Sequence, residues 1–374
     1  MMLNEAQIEL QDMIRKYANR EIAKHATSID QTNQVPYSIY KQLGAMDVFK
    51  ILISEENGGL GRSLLDFVLI TEELSKISAS VAWQFMVTHS VSALIQQFGT
   101  QSQIRTHLPD LIDGGKSAAF AMTESGSATN WQKTMQSKAV SQNRQIKLTG
   151  TKSMISNSVA DSVVVIARNN NLNDRQPFLA FLMKKDLHSF YSGTLETMLG
   201  LRGSAVGELV LDDVIVSTND ILGKEGQFSQ ILQTNTMMNC LGQAAVALGI
   251  SQAAFQSVLQ YTKKRVIAEN QYLADFESIQ RALTDIKQSI DAARLMLYHA
   301  ASIRGIDVFL ATLKNIETAL SVTDRAMTLM GGHGCMQEYP MERYYRDAKT
   351  VSIQKPVDHI KSMVGEKIVR TDIN

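Results

Sequence analysis

Apolar residues recur at three- and four-residue steps from residue 3 to about residue 115, the period of a helix with one buried face. Leu3, Ile8, Leu10, Ile14 and Tyr17 mark the first such stripe, and Val35-Pro36 opens a second helix with proline in its first turn. The run Glu55-Glu56-Asn57-Gly58-Gly59-Leu60-Gly61 has turn chemistry, after which Leu64–Ile77 and Val81–Phe98 resume the helical period. Between about 118 and 225 the pattern changes to short apolar runs bounded by Gly, Asn and Asp. Residues 162–167, 178–183, 208–211 and 214–216 read as strands. From about 227 to 366 the helical period returns. Leu241, Ala244, Ala245, Leu248, Phe255 and Leu259 form one stripe, and Ile279, Leu283, Ile286 and Ile290 another. The order is helices, sheet, helices: an α+β chain with an all-α domain at 1–117, a β domain at 118–226 and a helical bundle at 227–374.

Composition supports long helices, with 5 prolines and 18 methionines in 374 residues. Lys plus Arg and Asp plus Glu are both 37, so no net field draws the chain to nucleic acid or to an anionic membrane. Cys240 and Cys335 are too few for a disulfide framework, and no second His/Cys pair stands near His333 and Cys335 to complete a metal site. The N-terminal stretch carries Glu5, Glu9 and Asp12, unlike a signal peptide, and no run reaches about 18 uncharged apolar residues. These features lead to the expectation of a cytoplasmic protein without metal.

Four runs concentrate polar and small residues where chemistry is possible. They are Phe120-Ala121-Met122-Thr123-Glu124-Ser125-Gly126-Ser127-Ala128-Thr129-Asn130, then Gly150 to Asn157, Gly200-Leu201-Arg202-Gly203-Ser204, and Met330-Gly331-Gly332-His333-Gly334-Cys335. Hydroxyls and backbone N–H groups at such a transition hold a flat polar ring or a phosphate, and each run alone also suits a solvated connector or a tight turn. With Leu148-Thr149-Gly150-Thr151-Lys152, Leu222-Gly223-Lys224-Glu225-Gly226 and Arg346-Asp347-Ala348, the ordered set resembles the acyl-CoA dehydrogenase superfamily over nearly the whole chain.

The resemblance implies an N-terminal helical domain, a central β-barrel-like domain and a C-terminal four-helix bundle. It also implies FAD, an acyl-CoA or acyl-carrier-protein thioester as substrate, and a homodimer or homotetramer. Phe120, Met122 and Thr123 match positions that contact the flavin ring, and Thr129 matches a hydroxyl on the pyrophosphate. Met154 and Ser156 stand where the family usually has tryptophan and threonine. Arg265 matches a position that reaches the partner subunit's FAD, although the Phe-Gly pair expected after it is absent, and Thr328, in place of the family's glutamine, and Gly332 match further cofactor-binding positions.

The departures concern the base. The family's catalytic glutamate position is occupied by Lys355, and the alternate position, on the first helix of the C-terminal domain, by Asn239. An asparagine accepts no α-proton, and a lysine does so only after its pKa falls by several units. Asp358 and His359 are the nearby substitutes, with Asp358 about one turn beyond Lys355 if that segment is helical. His89, before the flavin loop, is either an active-site residue or a packed one. The resemblance therefore implies three readings: a dehydrogenase with a relocated base, a flavin monooxygenase or oxidase, or a degenerate subunit pairing with an active homologue.

Overall fold

The computed structural model describes residues 3–126, 130–142, 145–170, 177–185, 189–354 and 357–370. The first part is built from α1 (Glu5–Tyr17), α2 (Ala26–Thr32), α3 (Tyr37–Ala45), α4 (Leu64–Ile77), α5 (Ala79–Phe98) and α6 (Gln101–Ile112). Helix α4 begins where the periodicity places it because Ser63 and Asp66 cap it reciprocally. The Ser63 hydroxyl accepts from Asp66 N at 3.3 Å, and Ser63 N donates to the Asp66 carboxylate at 3.0 Å. Ile8 departs from its expected place and is exposed. Gln7, Leu10, Ile14 and Tyr17 carry the buried stripe of α1, and Ile8 lies off that 3–4 spacing.

The central part contains β1 (Ala118–Ala121), the short α7 (Trp131–Thr134), β2 (Lys138–Gln142), β3 (Gln145–Ile155), β4 (Ser162–Asn169), β5 (Phe178–Lys184), β6 (Phe190–Leu195) and β7 (Gly207–Val216). The β-barrel-like expectation takes the form of a seven-stranded mixed sheet in the order β1-β4-β2-β3-β7-β6, with β5 on β4. Asp212-Asp213 does not end a strand as the sequence pattern suggested. β7 runs through it over a bulge, with Asp213 at φ 54° and its carboxylate held by the Thr149 hydroxyl at 2.7 Å and Lys147 Nζ at 2.9 Å. The polar run from Gly150 to Ile155 is likewise strand, the second half of β3.

The last part holds α8 (Phe228–Lys264), the hairpin β8 (Val266–Ala268) and β9 (Gln271–Tyr272), α9 (Glu277–Ile303), α10 (Ile306–Met330), α11 (Met341–Gln354) and α12 (Val357–Arg370). The expected stripe on α8 proves to be one side of a helix buried all round from Cys240 to Ser251. Helices α4 and α5 cover one side and α9 to α11 the other, so both helical parts share one core. Asp358 belongs to the first turn of α12, and Lys355 lies outside the described residues.

Candidate active site

Strands β1 and β2 lie in line along one edge of β4, Ala121 opposite Val165 and Lys138 opposite Arg168. The connection between them, described at 122–126 and 130–137 and including α7, lies outside the sheet. Phe120, Met122 and Thr123 sit at its root, half-buried, beside the end of β3, where Ser153 N donates to the Thr123 carbonyl at 3.0 Å. Met154 follows with φ 56° and a side chain 48% exposed, because a bulge between Lys152 and Ile155 turns it outward. Ser156 accepts from the Trp83 indole at 3.1 Å, which leaves its hydroxyl proton to donate elsewhere. Among the described residues the Thr123 hydroxyl has no partner. The hydroxyls of Thr123 and Ser156 and the thioethers of Met122 and Met154, on two segments joined by the Ser153–Thr123 backbone bond, have the chemistry that suits a flat heterocycle with a polar rim, as the ring half of FAD is. Thr129 lies outside the described residues.

Asn239, on α8, is committed to neutral hydrogen bonds. Its amide Nδ2 donates to the Asn235 carbonyl at 2.7 Å, to Asn235 Oδ1 at 3.0 Å and to Ser90 Oγ at 3.3 Å, while Ser90 donates to Asn235 Oδ1 at 2.9 Å. No proton acceptor of carboxylate strength arises there. One turn nearer the start of α8, Thr234 lines a cavity of about 520 Å³ with Gln97, Met237 and Met238. Lys355 lies outside the described residues, and Asp358 and His359 are placed only as positions in the first turn of α12. His89 is a packed residue: its ring lies among Phe49, Phe67 and Phe85, and burial pulls its pKa down to about 4.

Arg265, Thr328 and Gly332 are exposed, at or just beyond the C-terminal ends of α8 and α10. Tyr261 and His333 join these ends through a 3.0 Å contact between the phenol and Nδ1, so His333 is an aromatic and hydrogen-bonding partner. Arg265 and His333 border one cavity of about 780 Å³. Beyond Arg265 the chain makes the β8–β9 hairpin, with Asn270 at φ 59° in its turn and Leu273 N on the Arg265 carbonyl at 2.8 Å.

Sequence comparison decides the family. Residues 4–115, 119–214 and 228–358 match the N-terminal, middle and C-terminal domains of acyl-CoA dehydrogenase. An acyl-CoA dehydrogenase of Bacillus subtilis is 32% identical over 98% of each chain. This chain belongs to the acyl-CoA dehydrogenase family. A short-chain-specific acyl-CoA dehydrogenase of Clostridium acetobutylicum is 31% identical over 95% of each chain. The solved butyryl-CoA dehydrogenase of Megasphaera elsdenii superposes with a TM-score of 0.94 at 30% identity, covering 99% of this chain and all of the other.

Within the acyl-CoA dehydrogenase fold, this chain also buries charges to which the motifs assign no role. Lys152 and Glu124 meet at 2.7 Å under the loop, both buried. Alternation along β3 carried a signal, since Lys152 shares the inward face with Ile146 and Leu148. Glu72 is fully buried and accepts from Tyr298 at 2.8 Å and Gln252 at 2.6 Å, while Glu73 is paired with Arg15 at 3.0 Å and Lys76 at 2.6 Å. Asp347 is buried and accepts from Leu201 N at 2.6 Å; burial raises its pKa to about 6. Arg346 beside it pairs with Asp30 at 2.7 Å, which ties α11 to α2.

Proposed function

We propose that this protein is an FAD-dependent oxidoreductase that removes the α and β hydrogens of an acyl thioester, carried on CoA or an acyl carrier protein. A group other than glutamate takes the α-proton. The observation that carries this reading is the retained ring site, Thr123 and Ser156 flanked by Met122 and Met154, beside an alternate base position where Asn239 is only an amide. FAD, when bound, supplies the acceptor for the β-hydride. The chain's own residues orient the ring edge through Thr123 and Ser156 and exclude water with the two thioethers. The base is assigned to the 355–359 segment, with Lys355, Asp358 and His359 as its candidates. Of these, Lys355 needs the largest pKa change to accept a proton near neutrality.

A homo-oligomer accompanies the reading. Leu295, Met296 and Ile303 are exposed on α9, and Val266, Ile267 and Tyr272 on the hairpin, so apolar surface is available for a second copy. Arg265 then faces the partner's FAD.

The test is anaerobic mixing of FAD-loaded protein with a panel of acyl thioesters. Bleaching of the flavin absorbance is expected with at least one, and replacement of the true base among Lys355, Asp358 and His359 should lower the bleaching rate about 10²- to 10⁴-fold. A flavin that no thioester bleaches overturns dehydrogenation. If no thioester bleaches the flavin, steady substrate-dependent oxygen consumption in a separate aerobic assay supplied with a flavin reductant assigns the protein to the monooxygenase or oxidase group instead, and failure to bind FAD assigns it to the degenerate subunits.

A further inference from the structure

The loop at the ring site is closed at its neck by one buried ion pair. Glu124 lies just past Thr123, and its carboxylate accepts from the other end of the loop, Gln136 N at 2.5 Å and Ser137 N at 3.0 Å. Lys152, fully buried on β3, donates to Glu124 at 2.7 Å and to the Met122 carbonyl at 3.3 Å. Both limbs of the neck and strand β3 therefore converge on two side chains. Gly150 makes the convergence possible: with φ +147°, a Cβ there would lie 2.7 Å from Ser137 Cα, a gap no side chain fits. The same strand presents Met154 two residues beyond Lys152, and Ser153 between them holds the Thr123 carbonyl.

We infer that the Glu124–Lys152 pair is a clasp whose role is to position the flavin-contacting residues Met122, Thr123, Met154 and Ser156; neither member touches the ligand. This rests on the FAD reading above. A loop that must carry ring contacts on one limb gains a fixed position only if its neck cannot open. An ammonium sharing a carboxylate and a carbonyl fixes two segments at once, where an apolar side chain fixes neither. A buried pair is weak evidence for stability, since apolar replacements of similar volume are often neutral. That makes the positioning role separable from folding.

The experiment compares the parent with Glu124→Gln/Lys152→Met, which removes both charges at similar volume, and with Glu124→Asp, which keeps the charge but shortens its reach. Apo-protein melting temperature, FAD affinity by fluorescence titration and the absorption band shape of the bound flavin are measured for each. The double variant is expected to melt near the parent, to bind FAD about 10- to 100-fold more weakly and to show an altered flavin band. A folded double variant with parental affinity and band shape overturns the inference. Should the double variant fail to fold, Glu124→Asp decides: weaker binding with an altered band supports the clasp, and parental values overturn it. A parent protein that binds no FAD overturns the functional reading along with the clasp, whereas parent and variants binding alike overturns only the clasp.

Discussion

At the residue scale two buried groups outside the proposed reaction, His89 and Asp347, make the fold's stability depend on pH. His89 has a folded pKa of about 4 against 6.5 in its ordinary state, because the imidazolium would be buried among three phenylalanines. The unfolded chain then takes up the proton first, so this contribution to stability is complete above about pH 6.5 and is lost as pH falls toward 4. The shift corresponds to roughly 3 kcal/mol. His89→Leu is expected to hold stability at neutral pH within about 2 kcal/mol and to flatten the acid-side decline, as read from urea unfolding across that pH range. A variant with the parent's slope would place the decline in other groups. Asp347 acts in the opposite sense. Its raised pKa of about 6 means that its contribution falls as pH rises through that value. The sequence marked His89 as either packed or functional, and only its three aromatic neighbours, 22 or more residues away except for Phe85, decide between these.

At the element scale the decisive contact is α8 against the N-terminal helices. Gly242 and Gly249 lie about two turns apart on α8 and face α5 and α4. A Cβ at Gly249 would stand 2.6 Å from the Glu72 carbonyl oxygen, and one at Gly242 2.6 Å from the Met86 sulfur. Ser75 Oγ crosses the same gap to the Val246 carbonyl at 2.7 Å. Gly249→Ala is expected to cost about 1–3 kcal/mol and to lower the melting temperature, since rigid backbone must move. Gly242→Ala should cost less, because its contacts are with the Met86 side chain, from sulfur to Cβ, and not with a backbone carbonyl. Equal melting temperatures for parent and Gly249→Ala would show that the helices slide apart without penalty. The apolar stripe on α8 was readable from its period, but the second buried face was not. Alanine, glycine and serine carry too little hydrophobic contrast to announce a partner.

At the scale of the whole molecule the two helical parts behave as one body, because α1, α4 and α5 share a continuous core with α8 to α11. Residues 227–374 made alone would expose the side of α8 that α4 and α5 cover. The expected outcome is aggregation on gel filtration and no cooperative thermal transition; a monodisperse fragment with a sharp transition would contradict the shared core. No helix among the described residues is long and apolar enough to cross a membrane. The sequence by itself determined the order of helices and strands and, through its spaced motifs, the family, since periodicity and residue identity are local properties. Tertiary structure alone decided that Lys152 meets Glu124 beneath the ring-site loop, that Asn239 is held by Asn235 and Ser90, and that both helical parts make one core. These outcomes depend on groups far apart in the chain. The energy of a buried charge or amide is fixed by its partners, and no local pattern records who those partners are.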